Sequence, residues 1–141
     1  QEETVRRLGA RHRVFVSVEG RVPKAIEPFV LQLEPHRIHQ VLAEARLVIG
    51  DGATMATEAG LLGTPSLYVS SLVGTMGNFN VLQQAGLVES FPLVPPALER
   101  AEALLANPEE GRTWRERART FAREHVDVVD FVVREATGTR P

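Results

Sequence analysis

Short apolar runs of strand length alternate along this chain with longer segments of helical period, the pattern of a parallel sheet covered by helices. Glu2 to Leu8 reads as a helix closed by Gly9, and Arg13 to Val18 as a strand with Val14, Val16 and Val18 on one face. After an apolar run from Phe29 to Leu33, Glu34-Pro35 opens a helix through Ala45 with Ile38, Val41 and Leu42 along one side. Leu47-Val48-Ile49 is the next strand and Gly50-Asp51-Gly52 a turn. Ala53 to Leu62 is a helix that Gly63-Thr64-Pro65 stops before a strand over Ser66 to Ser70, a tight βαβ unit. Leu72 to Asn78, with two glycines among small polar residues, reads as a mobile loop. Phe79 to Ala85 is then a short helix closed by Gly86, and Leu87 to Phe91 the last strand.

Pro92, Pro95 and Pro96 mark a turn before the helical period of Ala97 to Ala106. Asn107-Pro108-Glu109-Glu110 starts a helix through about Glu124: the Asn side chain caps, proline takes the first helical position, and two carboxylates sit at the positive end. Trp114, Ala118 and Phe121 are its buried stripe. Asp127 caps a final helix whose Val128, Phe131 and Val132 form an apolar stripe. The expected fold class is α/β, a mostly parallel sheet with helices on both faces. It forms one domain over residues 1–137, followed by a frayed tail at 138–141.

Composition narrows the partners. At 141 residues and 43% hydrophobic content the chain fills one core and has no surplus for a second. A net charge of −2 gives nucleic acid or an anionic membrane nothing to hold, so the partner is a small molecule or another domain. No apolar run reaches the length of a membrane span, and Gln1-Glu2-Glu3 has neither the basic start nor the apolar stretch of a signal peptide; the expected location is the cytoplasm. The absence of cysteine removes disulfides, thiolate chemistry and cysteine-ligated metals. A start at Gln1 suggests that an upstream segment belongs to the protein.

The chemistry concentrates in Leu47 to Pro65, where a strand runs through a turn of small residues directly into a helix. Backbone N–H groups of Gly52, Ala53 and Thr54 at that helix start face outward, and the helix dipole favours an anion there. Glu58, four residues after Thr54, shares its helix face one turn deeper, and its carboxylate can accept hydrogen bonds from ribose hydroxyls. On spacing alone an ordinary tight turn, a solvent-facing Thr54 and a solvated Glu58 carboxylate are the commoner arrangement, since such turn-to-helix junctions occur in every α/β protein.

Asp51-Gly-Ala-Thr-Met-Ala-Thr-Glu58-Ala59, followed by Gly63-Thr64-Pro65, resembles the C-terminal nucleotide-binding motif of GT-B enzymes, among them the UDP-N-acetylglucosamine 2-epimerases and the MurG-type glycosyltransferases. Arg13 to Phe91 is similar to an uncharacterised archaeal and bacterial family assigned to that superfamily. That similarity rests on Ser17-Val-Glu19 with Pro23, Pro35-His-Arg-Ile-His39, the Asp51 to Glu58 motif and Gly63-Thr-Pro65; the helix from Asp127 to Val133 also fits.

The resemblance implies a Rossmann-like GT-B C-terminal domain lacking its first strand. Gly52, Ala53 and Thr54 would contact the diphosphate, and Glu58 the ribose, of a UDP-sugar that serves as substrate ligand with no metal or other cofactor. Gly52-Ala53 stands where an epimerase has Ser-Gly-Gly, so one hydroxyl donor is missing. An N-terminal domain would supply the acceptor side and usually the catalytic base, which leaves this segment without a complete active site and inactive on its own, its catalytic residues unassigned. The chain would thus be the nucleotide-sugar-binding half of a glycosyltransferase or sugar-nucleotide epimerase. The alternative is a non-catalytic nucleotide-binding or interaction module with a GT-B-derived fold.

Three features remain. His36 and His39, three apart at a helix start, suit capping or packing better than a metal, with no cysteine and no acidic cluster beside them. The loop from Ser70 to Asn80 either closes over the ligand, with Ser71, Gly74, Thr75, Asn78 and Asn80 as candidates, or is a plain flexible connection. The arginines at 112, 115, 117, 119 and 123 interleave with glutamates and read as a solvated, salt-bridged face.

Overall fold

The structure, a computed structural model, describes residues 2–18, 20–71 and 77–138, with the side chain of Asn78 excepted. Its regular elements are α1 (Glu2–Gly9), α2 (Ile38–Glu44), β1 (Val48–Gly50), α3 (Ala53–Leu61), β2 (Ser66–Val69), α4 (Gly77–Gln84), β3 (Glu89–Phe91), α5 (Val94–Ala106), α6 (Pro108–Glu124) and α7 (Val128–Thr137). The strands form one parallel sheet in the order β1, β2, β3, with Val48 opposite Ser66 and Leu67 opposite Glu89. Parallel neighbours cannot be joined by a tight turn, so α3 and α4 carry the two crossovers. The result is a mixed α/β, Rossmann-like arrangement: a three-stranded parallel sheet flanked by helices.

The central strand is buried on both faces. Ser66 and Leu67, which point to opposite sides, are both fully inaccessible, and the Tyr68 ring lies 4.4 Å from that of Phe79 on α4. Two small polar side chains fasten the start of β2 to its neighbours. The Ser66 hydroxyl donates to the Ala56 carbonyl of α3 at 2.8 Å, and the Thr64 hydroxyl to the Leu42 carbonyl of α2 at 2.7 Å. The hydrogen bonds offset the cost of taking these hydroxyls out of water.

Helix α3 stops because Gly63 turns left-handed (φ 83°), letting its own N–H and that of Thr64 bond back to Gly60 and Ala59. This Schellman closure recurs at the end of α4, where Gly86 and Leu87 bond back to Gln83 and Leu82. Helix α6 is held by Trp114, fully buried, whose Nε1–H donates to the Leu87 carbonyl at 2.7 Å. Arg100 on α5 grips both oxygens of Glu89 on β3 at 2.8 Å and lies 3.7 Å from Glu110 on α6. Hydrogen bonding to Glu89 raises the Arg100 pKa further, so the guanidinium keeps its charge at any ordinary pH. Helix α1 buries Val5 and Leu8 and is tied to α5 through Arg7 and Glu102 at 2.7 Å.

The expected caps are in place. Asn107 accepts from the Glu109 N–H at 3.1 Å, and Asp127 accepts from Val129 and Asp130 at 2.9 and 3.1 Å.

Three expectations are corrected. Arg13 to Val18 is no strand: a single parallel bridge joins Val16 to Val30, because Pro28 opens a 3-10 turn over Glu27–Phe29 and leaves only Val30 onward extended. Helix α5 begins at Val94 and takes Pro95 and Pro96 into its first turn, where the N–H groups that proline lacks have no partner anyway. Leu87 and Val88 precede β3 rather than belonging to it, since the Leu87 carbonyl is taken by Trp114. Helix α7 forms as expected, yet its Val128, Phe131 and Val132 are exposed. No helix among the described residues is long and apolar enough to cross a membrane.

Candidate functional site

In a parallel sheet every crossover places a helix start at the carboxyl edge of the strands, where ligands of open α/β sheets bind. Here β1 ends at Gly50, Asp51 bends, and Gly52 serves as N-cap of α3 with φ −76° and ψ 100°. The first helical bond runs from the Ala56 N–H to the Gly52 carbonyl at 2.9 Å, and no side chain caps the amides that precede it. Those of Ala53 and Thr54 therefore face away from the helix without an intrahelical acceptor. The approach is open: a Cβ at Gly50 would meet nothing within 4 Å, and one at Gly52 only the Met55 Cβ at 3.7 Å. Thr54 is exposed and Ala53 half-buried.

Glu58 lies one turn deeper, on the face it shares with Thr54, with 35% of its side chain exposed. Its Oε2 lies 3.2 Å from Nε2 of His39 on α2, an ion pair when the imidazole is protonated. The sequence left this contact unseen. Spacing pairs His39 with His36 at one helix start, but the structure separates them: His36 faces Glu34 at 3.5 Å in the 3-10 turn Pro35–Arg37, and His39 faces α3. The signal in the sequence was topological. A helix entering β1 and a helix leaving it pack side by side, so polar residues on their facing sides are candidates for contact.

Of the loop candidates, Ser71 is exposed just past the carboxyl end of β2. Gly74 and Thr75 lie outside the described residues, and Asn78, expected in the loop, stands in the first turn of α4, its side chain outside the description. Among the described residues no three His, Asp or Glu side chains gather as a metal site would require. On α6, Arg112 pairs with Glu109 and Arg117 reaches the Gly86 carbonyl at 3.3 Å while stacking over Trp114. An open hollow of about 360 Å³ beside that helix, lined by Leu61, Phe121 and Val126 among others, contains none of the candidate ligand-binding residues.

No protein-family model, curated protein or solved structure matches the chain, so the chemistry of the site is argued from its own geometry.

Proposed function

We propose that this chain binds the diphosphate and ribose of a UDP-sugar at the amino end of α3, as the nucleotide half of a GT-B-type glycosyltransferase or sugar-nucleotide epimerase. An N-terminal domain of the same protein would supply the remaining catalytic groups. The reading is supported above all by the junction of β1 and α3, where uncapped amides, an open turn of small residues and the part-exposed Glu58 one turn deeper share the carboxyl edge of a parallel sheet. The amides offer donors to phosphate oxygens without a counter-charge, and the Glu58 carboxylate offers acceptors to the ribose diol.

Hydrogen bonds to a charged group are worth about 1.5–3 kcal/mol. Glu58→Ala is therefore expected to weaken UDP binding at least about tenfold. Ligand-observed NMR with UDP, UMP and GDP in competition checks this, with far-UV circular dichroism verifying the fold. Unchanged UDP affinity in the variant, or no nucleotide bound by the folded wild type, would sink the proposal.

A second reading, an interaction module with a GT-B-derived fold and no catalysis, draws on α7. Its Val128, Val129, Phe131, Val132 and Val133 are each more than half exposed. A helix of 10 residues is too short to persist by propensity alone, so this one calls for something to pack against. On this reading the chain self-associates in sedimentation velocity, Phe131→Glu returns it to a monomer, and no nucleotide binds; a wild type that is monomeric at high concentration counts against it.

A further inference from the structure

Glu58 meets only one ion-pair partner among the described residues, and that partner stands on a different helix. The two helices are fixed relative to each other. Leu42 of α2 is 4% exposed and its carbonyl accepts the buried Thr64 hydroxyl, while α3 buries Ala56, Ala59 and Gly60 beside Glu58. His39 and Glu58 thus approach from rigid supports, and the imidazole needs only two torsions to hold its position. A glutamate on a helix surface otherwise samples several rotamers, and freezing them on ligand binding weakens affinity.

We infer that His39 is the positioning residue of Glu58: its Nε2 contact holds the carboxylate in the one orientation that presents the free Oε1 to a ribose diol, so that recognition of the 2′-hydroxyl depends on His39. The inference rests on the nucleotide reading above and specifies how that site reads its sugar. Nε2 approaches Oε2 alone, at 3.2 Å, a contact that becomes an ion pair when the ring is protonated, and Oε1 keeps both lone pairs for the two hydroxyls. Because both side chains are substantially solvated, the pair contributes little to folding, and its removal leaves the domain intact.

The test uses the 141-residue chain with UDP and 2′-deoxyuridine diphosphate as probes. His39→Ala is expected to weaken UDP about three- to tenfold, the cost of ordering one long side chain, while leaving the deoxy nucleotide unaffected. His39→Gln, whose amide nitrogen can take the place of Nε2, restores UDP binding; melting curves of both variants overlay that of the wild type. Equal losses on the two nucleotides, or no loss on UDP in a background where Glu58→Ala does weaken it, overturn the positioning role and leave the nucleotide reading standing. If Glu58→Ala itself changes nothing, both fall together.

Discussion

Trp114→Ala is expected to remove about 4 kcal/mol of stability and to lower the melting temperature by about 10–15 °C. The indole is fully buried in the core between α6 and the sheet, in one cluster with Leu67, Leu87, Leu98 and Ala118. Truncation to a methyl group forfeits its burial and opens a cavity that two helices and a parallel sheet cannot close by a side-chain shift. It also strips the Leu87 carbonyl of the donor at 2.7 Å. Trp114→Phe separates the two contributions: it keeps most of the ring and loses the N–H, so a smaller cost of about 1–2 kcal/mol is expected, most of it from the buried carbonyl left unpaired. Far-UV circular dichroism is the appropriate probe, because Trp114 is the sole tryptophan and fluorescence disappears with it. An alanine variant melting within a few degrees of the wild type would mean that α6 does not pack as described.

The features legible in the sequence are those that local chemistry decides. Asn107 and Asp127 cap because an acceptor side chain at a helix start satisfies amides nearby in sequence, and Gly63 stops α3 because few other residues adopt its turn. The β1–α3 turn was visible for the same reason, since strand, small residues and helix are contiguous. What escaped depends on partners distant in the chain. Val14 to Val18 carries strand-forming residues, yet a strand needs a partner, and Pro28 denies it all but the bridge to Val30. Leu87 reads as strand, but its carbonyl is claimed from α6. The stripe on α7 announces a buried face without naming what covers it. His39 and Glu58 are 19 positions apart, and only the packing of α2 against α3 brings them to 3.2 Å. The candidate site was therefore legible in part: the β1–α3 turn and Glu58 follow from one continuous segment, and the approach of His39 to Glu58 requires the fold.

Gly60→Ala is expected to destabilise by about 2 kcal/mol, although in an isolated helix the same change would stabilise by about 1 kcal/mol. Packing decides the sign. A Cβ on residue 60 would lie 2.4 Å from the Leu87 carbonyl oxygen and 3.1 Å from both the Leu87 carbonyl carbon and Val88 Cγ2. The first two are backbone atoms immediately before β3 and cannot turn aside as a long side chain would, so α3 must back away from the sheet. The carbonyl that the new methyl group displaces is the one that accepts from Trp114, and the two perturbations therefore share one atom. Once Gly60→Ala has moved it, Trp114→Phe has less hydrogen bond left to lose, and the double variant should fall short of the sum by more than about 0.5 kcal/mol in denaturant titrations. Additivity would mean that the Leu87 carbonyl does not link α3 to α6. The same displacement would carry Glu58, two residues earlier on α3, away from His39, so on the proposed nucleotide reading a stability defect in the core should reappear as weaker UDP binding.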